Sequence, residues 1–211
     1  GAKKYIIDLR ENNGGLMDQA IAMINEFLDK NQLIVYSEGK AYKRQEARAD
    51  GKGSNKNAPI VVLIDEFSAS ASEIFAGAIQ DNDRGVIVGR RSFGKGLVQQ
   101  QFPLSDGSAL RLTVARYYTP SGRSIQKPYE NGKVSDYEDD ILQRFLHGEF
   151  DNKDSIKHES KLKYKTLKGR VVYGGGGIMP DVFIPRDTTV YSPFLTTVLN
   201  YGYIVDRKSV V

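Results

Sequence analysis

The sequence predicts an α/β fold, in which parallel strands are joined by crossover helices and followed by an antiparallel β region. Residues 58–64 are almost continuously apolar, which is typical of a central parallel strand with both faces covered. Apolar residues recur at helical spacing after this run and after residues 5–9, so each strand leads into an amphipathic helix. Strand–helix–strand units in one sheet predict right-handed crossovers, with functional groups beyond the carboxyl ends of the strands.

The first half of the chain supplies this parallel core. Tyr5 to Leu9 is a predicted strand, because an apolar run leads into a turn rich in Asn and Gly. The further elements predicted up to residue 88 are a helix over 17–30, a hairpin of 33–36 with 41–48 across Glu38 and Gly39, a polar surface loop over 50–57, the strand 58–64, a helix ending near Gly85 and a strand over 86–88.

The second half of the chain supplies the antiparallel region. Residues 99–104 and 109–118 are expected to pair around a turn at residues 106–107. Alternation along the second strand predicts three inward apolar side chains, Leu110, Leu112 and Val114. The remaining predicted features are a surface helix over 136–147, an insertion lying over the core at 130–170, a strand over 182–184 and a last helix over 192–200.

The composition excludes several kinds of chemistry. A chain of 211 residues has room for one sizeable core, and the absence of cysteine excludes thiol catalysis, zinc–thiolate sites and disulfides. Only His147 and His158 could serve a Ser–His triad. The net charge of +4 is mild, and the basic clusters at 40–48 and 157–168 are interleaved with acidic residues. They predict a solvated face rather than a nucleic-acid site.

Neither a membrane span nor a signal peptide is evident in the sequence. The chain opens with Gly1-Ala2 and enters a strand-like run without a lead-in, so we expect the protein to continue upstream. Residues 1–211 are therefore interpreted as one domain truncated at its N-terminus. Any association with a membrane would come from regions outside this sequence.

Three serines are packed with alanines where the strand 58–64 should turn into a helix. Ser70 and Glu73 match the S-x-x-E capping box, in which the serine caps the helix and the glutamate reaches back to it. Capping alone explains Ser70, and a shift of register would give Ser68 or Ser72 that role. The same position also suits a nucleophile, because the helix N-terminus offers N–H groups and a positive dipole to an oxyanion.

A single lysine, Lys95, stands between Gly94 and Gly96 in a second segment. A lysine can take a proton from a serine only when burial lowers its pKa enough to leave the amine neutral. Flanking glycines permit the sharp bend and close backbone approach that such burial requires. An exposed turn lysine is the structural alternative. A phosphate-binding loop is disfavoured, because Gly96 stands where Ser or Thr would hold magnesium.

Supporting groups for this chemistry are expected near both segments. Gln99 would hold the lysine amine if a helical turn joins them, whereas in an extended strand they would lie about 13 Å apart. An oxyanion would be held by the N–H of Ala71 together with that of Gly14 or Gly15. Asp81 is interpreted as an exposed acid at a helix end. Neither a metal nor a cofactor is expected.

Several segments together resemble the carboxyl-terminal processing peptidases, also called tail-specific proteases, of serine peptidase family S41. Residues 8–15 resemble the family's D-L-R-x-N-P-G-G, with Asn13 in the place of proline. Residues 67–74 resemble its nucleophile segment and residues 92–99 its lysine segment. Further matches lie at residues 106–113, 117–126 and 177–181.

The resemblance implies a ClpP/crotonase-like core with a flanking β region, and a Ser/Lys dyad of Ser70 and Lys95 supported by Gln99. It implies cleavage near the C-terminus of protein or peptide substrates that end in apolar residues, in the bacterial envelope and most often the periplasm. Members of the family carry a PDZ domain before the catalytic core, and no PDZ pattern is present here. The alternative from another class is a catalytically silent fragment that binds peptides or acts as a scaffold.

Overall fold

The computed structural model describes residues 2–129, 134–188 and 193–200. Ser192, the predicted start of the last helix, and residues 130–133 of the predicted insertion lie outside the described residues. The helices and strands, in chain order, are β1 Tyr5–Asp8, α1 Met17–Asn25, β2 Leu33–Glu38, β3 Gln45–Arg48, β4 Ile60–Ile64, α2 Ala71–Asp81, β5 Val86–Gly89, β6 Leu97–Pro103, β7 Ala109–Tyr118, α3 Val134–Leu146, β8 Lys163–Lys165, β9 Val171–Tyr173, β10 Val182–Phe183 and α4 Pro193–Asn200. Lys153–Ser155 form one turn of 3₁₀ helix.

The predicted parallel sheet is confirmed. Its four strands follow the order β1-β4-β5-β10, and all neighbours pair in parallel. β4 lies between β1 and β5, with Ile60, Val62 and Ile64 buried, as its unbroken apolar run predicts. α1 and α2 pack against each other, and the ring of Phe27 meets that of Phe75 edge to face at 6.3 Å. The chain is therefore a mixed α/β protein.

The helix α1 ends earlier than its apolar periodicity predicts. The loop over residues 50–57 crosses the end of the helix, where Gly53 lies against the carbonyl of Asn25. The N–H of Asn55 donates to the carbonyl of Glu26 at 3.0 Å. Because the loop takes this carbonyl, the helix stops there, although Phe27 and Leu28 remain buried in the core.

The second sheet is antiparallel, with the order β3-β2-β7-β6. Both predicted hairpins are present, but the inward orientation predicted for Leu110 and Leu112 is wrong. These side chains are 49% and 47% exposed, and Val114 is half-buried. β7 pairs with β2 only at residues 116–118, so its earlier residues extend beyond the core in a two-stranded ribbon with β6.

The region after β7 packs back onto the core through polar contacts. In α3, which agrees with the helix predicted over 136–147, Arg144 is buried and donates to the carbonyls of Arg91 and Ser92 at 2.6 and 3.0 Å. None of the helices in the described part of the chain has the length and apolar character needed to cross a membrane.

Candidate active site

The turns after β1 and β4 are tied together at the carboxyl edge of the parallel sheet. Asp65 follows β4, and its Oδ1 accepts hydrogen bonds from the N–H groups of Glu11 and Phe67, both at 3.0 Å. The hydroxyl of Ser68 donates to the carbonyl of Leu9 at 2.7 Å and accepts from the N–H of Asp65 at 2.9 Å. The loops that follow β1 and β4 therefore form one hydrogen-bonded unit.

Of the three serines at this turn, Ser70 has the distinct backbone. It precedes α2 with φ 57° and ψ −116°, a conformation that non-glycine residues adopt at a cost of about 1–3 kcal/mol. The hydroxyl of Ser72 donates to the carbonyl of Asn12 at 3.1 Å, and that of Ser68 is buried in the turn. The half-buried hydroxyl of Ser70 instead lies 2.9 Å from the hydroxyl of Tyr117.

Glu73 joins the serine turn to the lysine segment. Its Oε2 accepts from the N–H of Ser70 at 2.9 Å, as the capping box predicts, and from the N–H of Lys95 at 2.8 Å. Its Oε1 accepts from the hydroxyl of Ser92 at 2.6 Å and the N–H of Gly94 at 2.7 Å. Burial raises the pKa of Glu73, while these hydrogen bonds act in the opposite direction.

The shared carboxylate brings Ser70 and Lys95 close together. Their backbone nitrogens both lie against Glu73 Oε2, so they can be no further apart than the sum of the two distances, about 5.7 Å. The side chain of Lys95 is half-buried, and no hydrogen bond or ion pair joins its amine to another described residue. The two residues are neighbours in space although they are distant in sequence.

The glycines around Lys95 are required by close packing. Gly94 has φ +91°, and a Cβ there would lie 3.1 Å from the Cβ of Lys127 and 3.2 Å from the nitrogen of Gly177. Gly96 donates its N–H to Gln126 Oε1 at 2.9 Å and accepts from the N–H of Tyr117 at 3.0 Å. The lysine segment is thus held on both sides by the core.

The glycine loop lies directly against the serine turn. Gly14 has φ +95°, and a Cβ there would lie 2.6 Å from the carbonyl oxygen of Ala69 and 2.8 Å from the nitrogen of Ala71. The N–H of Gly14 donates to Asn12 Oδ1 at 2.9 Å. Within the described ranges, the N–H groups of Gly15 and Ala71 donate to no protein acceptor. They are therefore two free backbone donors close to Ser70 in sequence or through Gly14.

A small cavity of about 160 Å³ opens beside these two N–H groups. Asn12, Gln19 and Ser72 contribute polar atoms to its wall, and the rest of the wall is mostly apolar. The apolar side chains that line it are Leu9, Leu16, Ala20, Met23, Ala71 and Phe75.

Two interpretations of individual residues do not match the structure. Gln99 lies in β6 opposite Thr113 with an exposed side chain, so it does not meet the amine of Lys95. Leu97 already begins the strand, and an extended chain separates residues four positions apart. Asp81 is 2% exposed rather than solvated, because Arg123 reaches the end of α2 and binds it at 2.8 Å.

Sequence reasoning missed a second lysine and a tyrosine in this region. The amine of Lys127 lies 4.0 Å from the ring centroid of Phe93 and donates to the carbonyl of Tyr137 at 2.8 Å. Burial lowers its pKa, and the nearby Asp140 carboxylate opposes that effect. No local pattern separates Lys127 from an exposed lysine. Tyr117 lies in a predicted strand, and only its contact with Ser70 distinguishes it.

No cluster of three or more His, Cys, Asp or Glu suited to a metal ion occurs in the described ranges. A serine at a strand-to-helix turn, free backbone N–H groups beside it and a neighbouring lysine are together typical of serine hydrolases on α/β folds. The chain matches the model of Peptidase family S41 over residues 1–138, so it belongs to that family.

Relatives and solved structures agree with this assignment. The chain is 42% identical over 187 residues to a carboxy-terminal-processing protease of Bartonella bacilliformis, covering 88% of this chain and 41% of the relative. It is 44% identical over 127 residues to a carboxyl-terminal-processing protease of Synechocystis, and the match covers 60% of this chain and 29% of that relative. The structure of the photosystem II D1 C-terminal processing protease aligns with a TM-score of 0.60 and 30% identity, over 88% of this chain and 35% of its own. The chain spans less than half the length of each of these three proteins.

Proposed function

We propose that this chain is the catalytic part of a serine endopeptidase that cleaves proteins near their C-terminus through a dyad of Ser70 and Lys95. The observation that carries the proposal is the shared Glu73 carboxylate, which holds the backbones of both residues within about 5.7 Å of each other. The strained backbone of Ser70 supports it, since such strain concentrates at functional sites.

In the proposed reaction the amine of Lys95 takes the proton of Ser70 as Ser70 Oγ attacks the peptide carbonyl. Lys95 then gives that proton to the departing amine, and an acyl-enzyme remains. Lys95 then takes a proton from a water molecule as that water attacks the ester carbonyl. Lys95 returns the proton to Ser70 Oγ as the bond from Oγ to carbon breaks, which releases the product with its new C-terminal carboxyl group. The half-buried side chain of Lys95 has no other ionic partner among the described residues to hold it away from this role.

The oxyanion of each tetrahedral intermediate would be stabilised by the N–H groups of Ala71 and Gly15. Both are free of protein acceptors in the described ranges, whereas the N–H of Gly14 is already bound to Asn12. Gly14 would serve the site through its close approach to Ser70 and Ala71. Gln99, exposed on β6, could support Lys95 only after a rearrangement of the strand start.

The mostly apolar cavity beside Ala71 and Gly15 supports substrates with apolar residues, because a side chain bound next to the oxyanion donors would enter it. The processing proteases among the relatives support cleavage near a C-terminus. We propose the bacterial envelope, and within it the periplasm, as the compartment. The family resemblance implies it, and bacterial processing proteases are among the relatives.

The experiment compares wild type with Ser70→Ala and Lys95→Ala in the whole protein that contains this chain. The substrate is a peptide with a free apolar C-terminus, and the matched controls are Ser105→Ala and Lys4→Ala at exposed positions. We expect cleavage to fall by at least about 10³-fold in both dyad variants, and to remain in both controls. Undiminished cleavage by either dyad variant would refute the dyad.

A silent peptide-binding module is the second candidate. It is favoured by the present partner of the Ser70 hydroxyl, which is Tyr117 rather than Lys95. A serine-directed phosphonate probe separates the two candidates. Labelling at Ser70 that disappears in Lys95→Ala supports the peptidase, whereas peptide binding without any labelling supports the module.

A further inference from the structure

Tyr117 touches the atom that would react. Its hydroxyl lies 2.9 Å from Ser70 Oγ, and its ring is 5% exposed. The backbone N–H of Tyr117 donates to the carbonyl of Gly96 at 3.0 Å, so the residue is also fixed to the lysine segment. A tyrosine held to both halves of the proposed dyad has a more specific position than packing alone requires.

Either hydroxyl of this pair could donate the hydrogen bond, so the donor has to be identified. Burial raises the pKa of Tyr117, and the neighbouring charge of Glu73 raises it further, while the hydrogen bond with Ser70 lowers it. The phenol therefore keeps its proton at neutral pH and is able to donate it. When Tyr117 donates, the proton of Ser70 is free to point towards another acceptor.

We propose that Tyr117 is a third catalytic residue, whose phenol donates a hydrogen bond to Ser70 Oγ. This inference rests on the proposed role of Ser70 as nucleophile. In acylation the Ser70 O–H bond breaks, the proton moves to the amine of Lys95, and the bond from Oγ to the substrate carbon forms. Tyr117 keeps its own proton throughout. Its hydrogen bond strengthens as negative charge develops on Oγ.

The same contact acts again when the acyl-enzyme is hydrolysed. Oγ is then the leaving oxygen of an ester, and negative charge develops on it as its bond to carbon breaks. A donor already in place stabilises that charge without reorganisation. Tyr117 therefore accelerates both half-reactions, which a residue with a purely structural role does not do selectively.

The test is Tyr117→Phe, which keeps the ring and removes only the hydroxyl. The matched control is Tyr118→Phe on the same strand, whose ring stacks on Tyr36 at 4.9 Å on the opposite face. We expect Tyr117→Phe to lower kcat about 10- to 100-fold with little change in KM, because a hydrogen bond to a charged atom is lost. Phosphonate labelling and deacylation of an ester substrate should both slow, and Tyr118→Phe should behave as wild type.

A second variant keeps the inference testable if Tyr117→Phe folds poorly. In this variant 3,5-difluorotyrosine replaces Tyr117, and its phenol loses its proton at lower pH. Because an ionised phenol cannot donate to Ser70 Oγ, we expect kcat to fall at a lower alkaline pH than in wild type. An unchanged kcat in Tyr117→Phe, a higher one, or an unmoved pH profile would overturn the role of Tyr117. If any of these results is found while phosphonate labelling occurs in wild type and is lost in Ser70→Ala, the role of Tyr117 fails but the proposed dyad stands. Absence of labelling in wild type would instead remove the dyad itself.

Discussion

Replacing Glu73 by Gln tests the connection between the serine turn and the lysine segment. The carboxylate accepts four hydrogen bonds, from the N–H groups of Ser70, Gly94 and Lys95 and from the hydroxyl of Ser92. An amide keeps one accepting oxygen. Its best orientation turns the NH₂ group towards Ser92, so the N–H of Gly94 and the hydroxyl hydrogen of Ser92 both lose their acceptor.

Each buried donor left without an acceptor costs about 1–3 kcal/mol, so the two together cost about 2–6 kcal/mol. For a chain of this size, such a loss lowers Tm by about 4–24 °C. Glu73→Ala removes all four acceptors, so its loss of stability should be at least about 4 kcal/mol. We expect kcat to fall at least about 10-fold in Glu73→Gln, because a shift of about 1 Å between reacting groups is enough for such a loss.

The pH dependence gives the sharper measurement. Burial raises the pKa of Glu73 above its ordinary value of 4.5, so the folded chain holds this proton more tightly than the unfolded chain. The stability contributed by Glu73 is therefore greatest below pH 4.5 and declines as the pH rises through the raised pKa. Glu73→Gln does not titrate, so the stability advantage of wild type over the variant should shrink towards neutral pH.

Urea unfolding of both proteins at about pH 5 and pH 7.5 measures this difference. Glu159→Gln, at an exposed position, is the control and should match wild type at both values. An advantage of wild type that stays constant or grows with pH would contradict the raised pKa. A Glu73→Gln variant with wild-type kcat would contradict the proposed connection between the segments.

Three further variants test the other parts of the site. Gly14→Ala should lose most activity and several degrees of Tm, because its Cβ would lie 2.6 Å from the carbonyl oxygen of Ala69. Gly15→Ala is the control and should keep its activity and its Tm, because a Cβ there meets open space. Equal Tm and equal cleavage rates in the two variants would refute the close approach of Gly14. Asp81→Asn should destabilise the protein by about 3–5 kcal/mol, because the buried charge of Arg123 loses its ionic partner. Urea unfolding measures this loss, and unchanged stability would show that the ion pair is dispensable. Met23→Trp should fill the cavity beside Ala71 and Gly15, so KM for apolar substrates should rise about tenfold while Tm stays unchanged. An unchanged KM would show that the substrate side chain binds elsewhere.

Local pattern was enough to predict the chain's main elements. The unbroken apolar run of β4 and the helical spacing after it predicted a central parallel strand and the helix α2. The capping box predicted that Glu73 would reach the N–H of Ser70. Each of these features depends on residues that are close together in sequence, which is why periodicity and spacing could predict them.

Where the prediction from sequence failed, the outcome depended on distant residues. Asp81 is buried because Arg123 arrives from a separate turn, and Leu110 is exposed because β2 is too short to cover the start of β7. The cause in both cases is a contact between segments that no local spacing encodes.

The sequence by itself predicted which residues are candidates for the chemistry and that the turns holding them lie at one edge of a parallel sheet. Tertiary structure alone decided that Glu73 also binds the segment of Lys95, that Tyr117 meets the hydroxyl of Ser70, and that Gln99 points into solvent. Hydrogen-bond partners and burial are properties of the packed chain, since each requires groups tens of residues apart to meet within about 3 Å.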